Sequence, residues 1–240
     1  MGREDELGEI ASMFMGMQDH NVSARAVVMG PVGSGKTVLT NTFSKDLIRK
    51  LEGRRKIISI HVNCRNHSRT TQVLHQIAIK LDPGHPERGF SAGEIIQTIR
   101  RNLLTHGLHL ILILDEIDVL IRNDSSDLIY RLLRIDEGQH DKGVLSLILV
   151  SQELNLINRF EAAIMSRLGA SNVLKLAPYL EKQLIEIARQ RAELACRNGS
   201  ISEVVLAKIG RYSASSGDAR MCIELLEGGI RRAEKIGRDE

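Results

Sequence analysis

Hydrophobic residues in this chain fall into two spacings. Five short runs are almost continuously apolar and rich in Ile, Val and Leu: Arg25 to Met29, Ile57 to Val62, Leu108 to Leu114, Val144 to Val150 and Val173 to Leu176. Runs of that length without polar alternation predict strands covered on both faces, as in a parallel sheet. Between them apolar positions recur every three or four residues, as in Val38, Leu39, Phe43 and Leu47, or Leu128, Ile129, Leu132 and Leu133. These stripes predict the crossover helices that parallel strands require, so the alternation reads as a doubly wound α/β sheet of five strands. The gap between the second and third runs is long. It holds two more helical stripes, Val73/Leu74/Ile77/Leu81 and Ile95/Ile96/Ile99/Leu103, parted by Asp82-Pro83-Gly84-His85-Pro86.

Past Leu176 the strand pattern stops and three helices are predicted, roughly 180–197, 202–213 and 217–235. They form a small helical domain entered through Ala177-Pro178-Tyr179. The expected division is therefore 1–177 for the α/β domain and 178–240 for the helical one. A length of 240 residues suits one larger and one smaller core.

Composition narrows the function classes. An apolar share of 42% and a charged share of 26% suit a folded protein and give no sign of disorder or membrane residence. Aromatic residues make up only 3%, which argues against a stacking platform for single-stranded nucleic acid. A net charge of +3 is compatible with an anionic partner but falls short of a dedicated nucleic-acid module. Cys64, Cys196 and Cys222 are too scattered for a zinc site or a disulfide framework, so buried or idle thiols in a reducing cytoplasm are expected. Arg3-Glu4-Asp5-Glu6 is a charged helix start rather than a signal peptide, and a cytoplasmic protein is the expectation.

Two motifs carry chemistry. Gly30-Pro31-Val32-Gly33-Ser34-Gly35-Lys36-Thr37 fits G-x-x-x-x-G-K-[ST] at every position, between a predicted strand and a predicted helix. Gly33 and Gly35 let backbone N–H groups converge on phosphate oxygens, and the helix that follows presents its positive end to them. Lys36 then reaches the β- and γ-phosphates of ATP, and Thr37 ligates Mg²⁺. The second motif, Ile111-Leu112-Ile113-Leu114-Asp115-Glu116, is a buried strand ending in two carboxylates at the same sheet edge. Asp115 is expected to hold Mg²⁺, and Glu116 to orient and polarise the water that attacks the γ-phosphate. The basic cluster Arg49/Lys50/Arg54/Arg55/Lys56 and the pair Arg100/Arg101 read as solvated faces. His61 and His67 have no metal-spaced partners and read as core or surface histidines.

With both motifs and the Gly217-Asp218-Ala219-Arg220 of the helical domain, the chain resembles the AAA+ ATPases of the archaeal and eukaryotic origin recognition complex and cell division control (replication initiator) family. Three stretches add to the resemblance: Arg3-Glu4-Asp5-Glu6-Leu7, Val62-Asn63-Cys64-Arg65-Asn66-His67, and Ser166-Arg167-Leu168-Gly169 followed by Pro178-Tyr179. The resemblance implies a three-layer AAA+ sandwich with a helical lid, an initiator-type insertion at about 66–90, and ATP or ADP with Mg²⁺ as cofactors. It implies that Arg220 is the sensor-two arginine and that Arg167 is the finger offered to a neighbour's nucleotide, Arg159 and a plain surface ion pair being the alternatives. It also implies that Arg3 and Leu7 line the adenine pocket, with Val38, Tyr179 and Ile187 among the nucleotide-binding residues, and that Thr70 and Thr71 contact DNA phosphates, against which a solvated helix start is preferred. Implied partners are duplex origin DNA, a replicative helicase and other initiator subunits, with ATP-dependent self-assembly or hetero-assembly. One departure stands out: the family usually carries Asn as sensor one after the fourth strand, whereas this chain has Ser151-Gln152-Glu153. Slow or partner-dependent hydrolysis is therefore expected. A nucleotide-gated interaction scaffold with little turnover is the alternative, and a clamp loader is disfavoured because its finger lies in Ser-Arg-Cys.

Overall fold

The computed structural model describes residues 2–20, 22–123, 126–137, 143–197 and 199–237. The described residues form two compact units that do not follow chain order: those within 5–29 and 36–175, and those within 2–4, 30–35 and 176–237.

The first unit is built on a five-stranded sheet. Its strands are β1 (Arg25–Met29), β2 (Lys56–Asn63), β3 (Leu108–Asp115), β4 (Leu145–Ser151) and β5 (Val173–Lys175), in the order β2-β3-β4-β1-β5 with every pairing parallel. All five expected runs are strands. β4 is buried along its whole length and β3 at all but its first residue, which is why their sequences show no alternation. The edge strand β2 does alternate at its end, with Ile60 and Val62 buried and His61 and Asn63 half-buried.

The helices around the sheet are α1 (Glu4–Met13), α2 (Met15–His20), α3 (Lys36–Leu51), α4 (Thr70–Leu81), α5 (Ala92–His106), α6 (Asp118–Arg122), α7 (Ser126–Leu133) and α8 (Ala162–Leu168). In α3 the buried stripe is Leu39, Phe43, Leu47 and Leu51, a four-residue repeat. Val38, expected in that stripe, is instead 51% exposed, because one residue off the repeat turns it about 100° around the helix. The two stripes between β2 and β3 form α4 and α5, burying Val73, Leu74, Ile77 and Ala78 from one and Ile95, Ile96, Ile99 and Leu103 from the other. α5 is well delimited. Ser91 accepts the Glu94 N–H while the Glu94 side chain returns to the Ser91 N–H, and Gly107 ends the helix at a left-handed φ of 61°.

The second unit holds the three expected helices, α9 (Glu181–Ala195), α10 (Glu203–Ala214) and α11 (Ala219–Ile236). Leu184, Ala188, Leu206, Cys222 and Leu226 form its core, with Ile187 packed against them. Asp218 caps α11 by accepting the N–H groups of Arg220 and Met221. No described helix is long and apolar enough to cross a membrane.

Candidate active site

The phosphate loop occupies the six residues between β1 and the helix that opens at Lys36. Gly33 and Gly35 adopt φ values of 71° and 86°, a region that side chains disfavour. Neither position has room for one. A Cβ on Gly33 would lie 1.7 Å from Asp218 Oδ1, and one on Gly35 would lie 2.3 Å from the Tyr179 hydroxyl. The Ala219 N–H donates to the Gly33 carbonyl at 3.2 Å, so the first turn of α11 grips the loop directly. A Cβ on Gly30 would come within 2.8 Å of the Leu176 carbonyl oxygen, which leaves only glycine there too. Ser34 is fully buried, and its hydroxyl has no hydrogen-bond partner among the described residues. Val32 is exposed at the loop's tip, Pro31 beside it is half-buried, and Lys36 is buried.

Arg3, Tyr179, Ile187 and Arg220, also expected at the nucleotide, lie in the same unit as the loop. Arg3 is buried, donates to the Ala177 carbonyl and stacks its guanidinium 4.2 Å from the Tyr179 ring centroid. Arg220 is exposed on the first turn of α11. Leu7, in the other unit, is half-buried on α1.

The carboxylates sit where β3 ends. Asp115 is paired in register with Asn63 of β2, and its Oδ2 accepts the Thr37 hydroxyl at 2.6 Å and lies 3.1 Å from His61 Nε2. Its Oδ1 accepts the Glu116 N–H at 2.9 Å. Burial alone would raise the Asp115 carboxyl, but the hydrogen bonds from His61 and Thr37 outweigh it and hold the group below the usual carboxylate range. Glu116 has a φ of 54°, a left-handed conformation costing a non-glycine residue about 1–2 kcal/mol. Its side chain is held from β2 and the turn after it: Asn63 Nδ2 donates to one carboxylate oxygen at 3.4 Å, and Arg65 Nε lies 3.4 Å from the other.

His61 therefore belongs to the site, which corrects its reading as a core or surface histidine. The signal for it was register rather than motif. His61 and Asn63 are alternate residues of β2, and a strand sends alternate side chains to one face; Arg65 follows in the turn. Cys64, the next residue, is instead buried in the hydrophobic core, and its thiol is pushed up to about 12 by burial and by the charges of Asp115, Asp118 and Glu116.

Gln152 follows directly on β4, the strand between β1 and β3 in the sheet. Its backbone N–H donates to Asp118 Oδ1 at 3.3 Å. The two finger candidates make ion pairs within this chain: Arg159 with Glu153 at 3.0 Å, and Arg167 with Glu137 at 2.9 Å, the latter guanidinium also 5.8 Å from the Tyr130 ring centroid. Thr70 and Thr71 open α4.

A strand, a glycine-rich phosphate loop, a helix and a neighbouring strand ending in Asp-Glu define a P-loop nucleotide-binding protein, and family comparison agrees. The family described as an AAA domain matches residues 24–160, and this chain belongs to that family. Residues 185–240 match the Cdc6 AAA+ ATPase-type lid domain. Within the AAA proteins the chain groups with the ORC1- and Cdc6-type replication proteins. It is 28% identical over 238 residues to ORC1-type DNA replication protein 1 of Sulfolobus acidocaldarius, covering 99% of this chain and 59% of that protein. It is 30% identical over 241 residues to the ORC1-type DNA replication protein of Desulfurococcus amylolyticus, covering 98% of this chain and 60% of that one. Among solved structures, the Aeropyrum pernix ORC1 protein in complex with DNA superposes with a TM-score of 0.88 at 27% identity, over 99% of this chain and 62% of that one. The chain thus spans about three fifths of the length of these relatives.

Proposed function

We propose that this chain is the ATP-controlled switch of a DNA replication initiator, which binds duplex origin DNA and helps load the replicative helicase. The carrying observation is the 2.6 Å contact between Thr37 and Asp115, which brings the first turn of α3 to the end of the carboxylate strand. A hydroxyl and a carboxylate are the oxygen donors that Mg²⁺ takes when substrate phosphates and water supply the rest of its shell. The loop fits the phosphates: Gly33 and Gly35 hold it in a bend that side chains would fill, and α3 starts at its end. Bound Mg²⁺·ATP would supply the phosphoanhydride to be broken.

In this reading Lys36 neutralises phosphate charge, and Thr37 and Asp115 hold the metal. Glu116 orients the attacking water once Asn63 and Arg65 release its carboxylate, and Gln152 contacts the γ-phosphate or that water. Arg220 reports nucleotide to the lid helices from beside the gripped Gly33. Arg3 and Leu7 are the residues assigned to adenine, Val38, Tyr179 and Ile187 are further nucleotide-binding residues, and Arg167 or Arg159 serves a neighbouring subunit's nucleotide. The DNA in the complex with the 27% identical Aeropyrum pernix ORC1 protein supports duplex DNA as a partner. Helicase, other initiator subunits and ATP-dependent assembly complete the partners, and a cytoplasmic location follows from that role.

The test is ATP turnover and nucleotide retention for wild type and Glu116→Gln, each with and without duplex origin DNA. Slow hydrolysis abolished by the substitution, with nucleotide-dependent DNA binding, supports the switch. Nucleotide binding without hydrolysis and without response to DNA supports the interaction scaffold instead.

A further inference from the structure

Asp118 opens α6 two residues after Glu116. It is only 5% exposed, and a buried carboxylate is costly unless hydrogen bonds and charge offset it. Its partners lie at the end of β4 and just beyond it. Oδ1 accepts the Ser151 hydroxyl at 3.1 Å and the Gln152 N–H at 3.3 Å, and the Ser151 oxygen in turn accepts the Glu153 N–H at 2.9 Å. Arg122, one turn along α6, lies 3.7 Å from Asp118 Oδ2 and pairs with Glu153. The Ile117 N–H donates to the Val150 carbonyl at 3.0 Å, so the backbone on either side is tied as well.

Ser151 is thus held by its side chain, Gln152 by its backbone and Glu153 by its side chain, all to α6. The Gln152 side chain alone in this segment makes no hydrogen bond among the described residues. Glutamine carries one more rotatable bond than asparagine, so its amide reaches a defined place only from a fixed backbone. We infer that Asp118 is a positioning residue for ATP turnover. It fixes the origin of the Gln152 side chain against the end of β3 and the turn that begins at Glu116. This inference rests on the role given to Gln152 above, and it makes the unusual glutamine workable through a contact outside both nucleotide motifs.

The test compares Asp118→Ala, Asp118→Asn, Gln152→Ala and the Asp118→Ala/Gln152→Ala double variant in the full chain. It reads kcat, affinity for a non-hydrolysable ATP analogue, and amide hydrogen exchange at Gln152 and Glu153. Asp118→Ala is expected to lower kcat by about 10- to 100-fold, the effect of displacing a reacting group by about 1 Å, with analogue affinity kept within about twofold. Exchange at both amides should rise. Asp118→Asn keeps a carbonyl oxygen for both donors and should retain kcat within about threefold. Ser151→Ala, which deletes one donor and cannot unfold the site by stranding a carboxylate, should give an intermediate loss.

In the double variant the losses should not multiply, since both act through one side chain. Asp118→Ala slowing the Gln152→Ala protein by the same factor as wild type overturns the inference, as does unchanged amide exchange. A slow Gln152→Ala beside a fully active Asp118→Ala overturns it alone. A fully active Gln152→Ala overturns the assigned role of Gln152 and this inference together.

Discussion

Replacing Gly33 by alanine tests how the lid grips the phosphate loop. The residue has a φ of 71°, which costs an alanine about 1–2 kcal/mol. The new methyl would also overlap Asp218 Oδ1, at 1.7 Å from its ideal position. Asp218 cannot swing away freely, because the same oxygen accepts the Arg220 N–H at 2.7 Å and the Met221 N–H at 3.4 Å. Moving it forfeits the cap of α11, about 1 kcal/mol. Gly33→Ala should therefore cost about 2–3 kcal/mol in total. In an Asp218→Ala background the cap is already lost and the methyl meets no carboxylate, so the same substitution should cost only its backbone strain, about 1–2 kcal/mol. The assay is a double-mutant cycle in urea, run without nucleotide so that phosphate binding does not enter. Coupling near 1 kcal/mol is expected. Additive costs would mean that Asp218 does not occupy the space beside Gly33, and the account of how α11 holds the loop would fail.

His61→Ala removes a hydrogen bond to the proposed metal ligand Asp115, and outer-shell changes of this kind weaken metal binding by about 10- to 100-fold. Titrating Mg²⁺ against ATP binding reads it, and Thr37→Ser, which keeps the hydroxyl donor, should stay near wild type. An unchanged Mg²⁺ midpoint in His61→Ala would return the histidine to a packing role. His109 makes a different prediction. Its pKa is pushed down to about 4, chiefly by burial, while Nδ1 donates to the Gly143 carbonyl at 2.9 Å and Nε2 accepts from Ser146 at 2.8 Å. The folded pKa lies below the unfolded value of about 6.5, so the unfolded chain takes the proton first. Stability from the neutral histidine is full above about pH 6.5 and falls as pH drops toward 4, by about 2 kcal/mol at pH 5. Urea unfolding at pH 7 and pH 5 should show that loss, and His109→Gln should lose less by the same amount. Equal losses in the two proteins would refute it.

What the sequence disclosed follows from what each residue acts through. The phosphate loop works through contiguous backbone, so its eight-residue spacing is visible in one dimension, and the central strands announce themselves because burial on both faces leaves no polar alternation. Val38 misled because a stripe begun one residue early still looks periodic until Leu39, Phe43, Leu47 and Leu51 are seen to bury together. Asn63 and Arg65 stand out in the sequence only within a stretch that carries the family resemblance. Their hold on Glu116 depends on β2 lying beside β3 with Asn63 opposite Asp115. Asp118 is hidden for the same reason, since its donors come from the end of β4. Nor does chain order disclose that residues 2–4 and 30–35 join the helical unit, although the glycine at position 33 is demanded by Asp218 as much as by any phosphate. The groups that act through their own backbone can be read before folding. Those that hold Glu116 and Gln152 acquire their meaning only when the parallel pairing places the ends of three strands side by side, and there single substitutions should separate nucleotide binding from turnover.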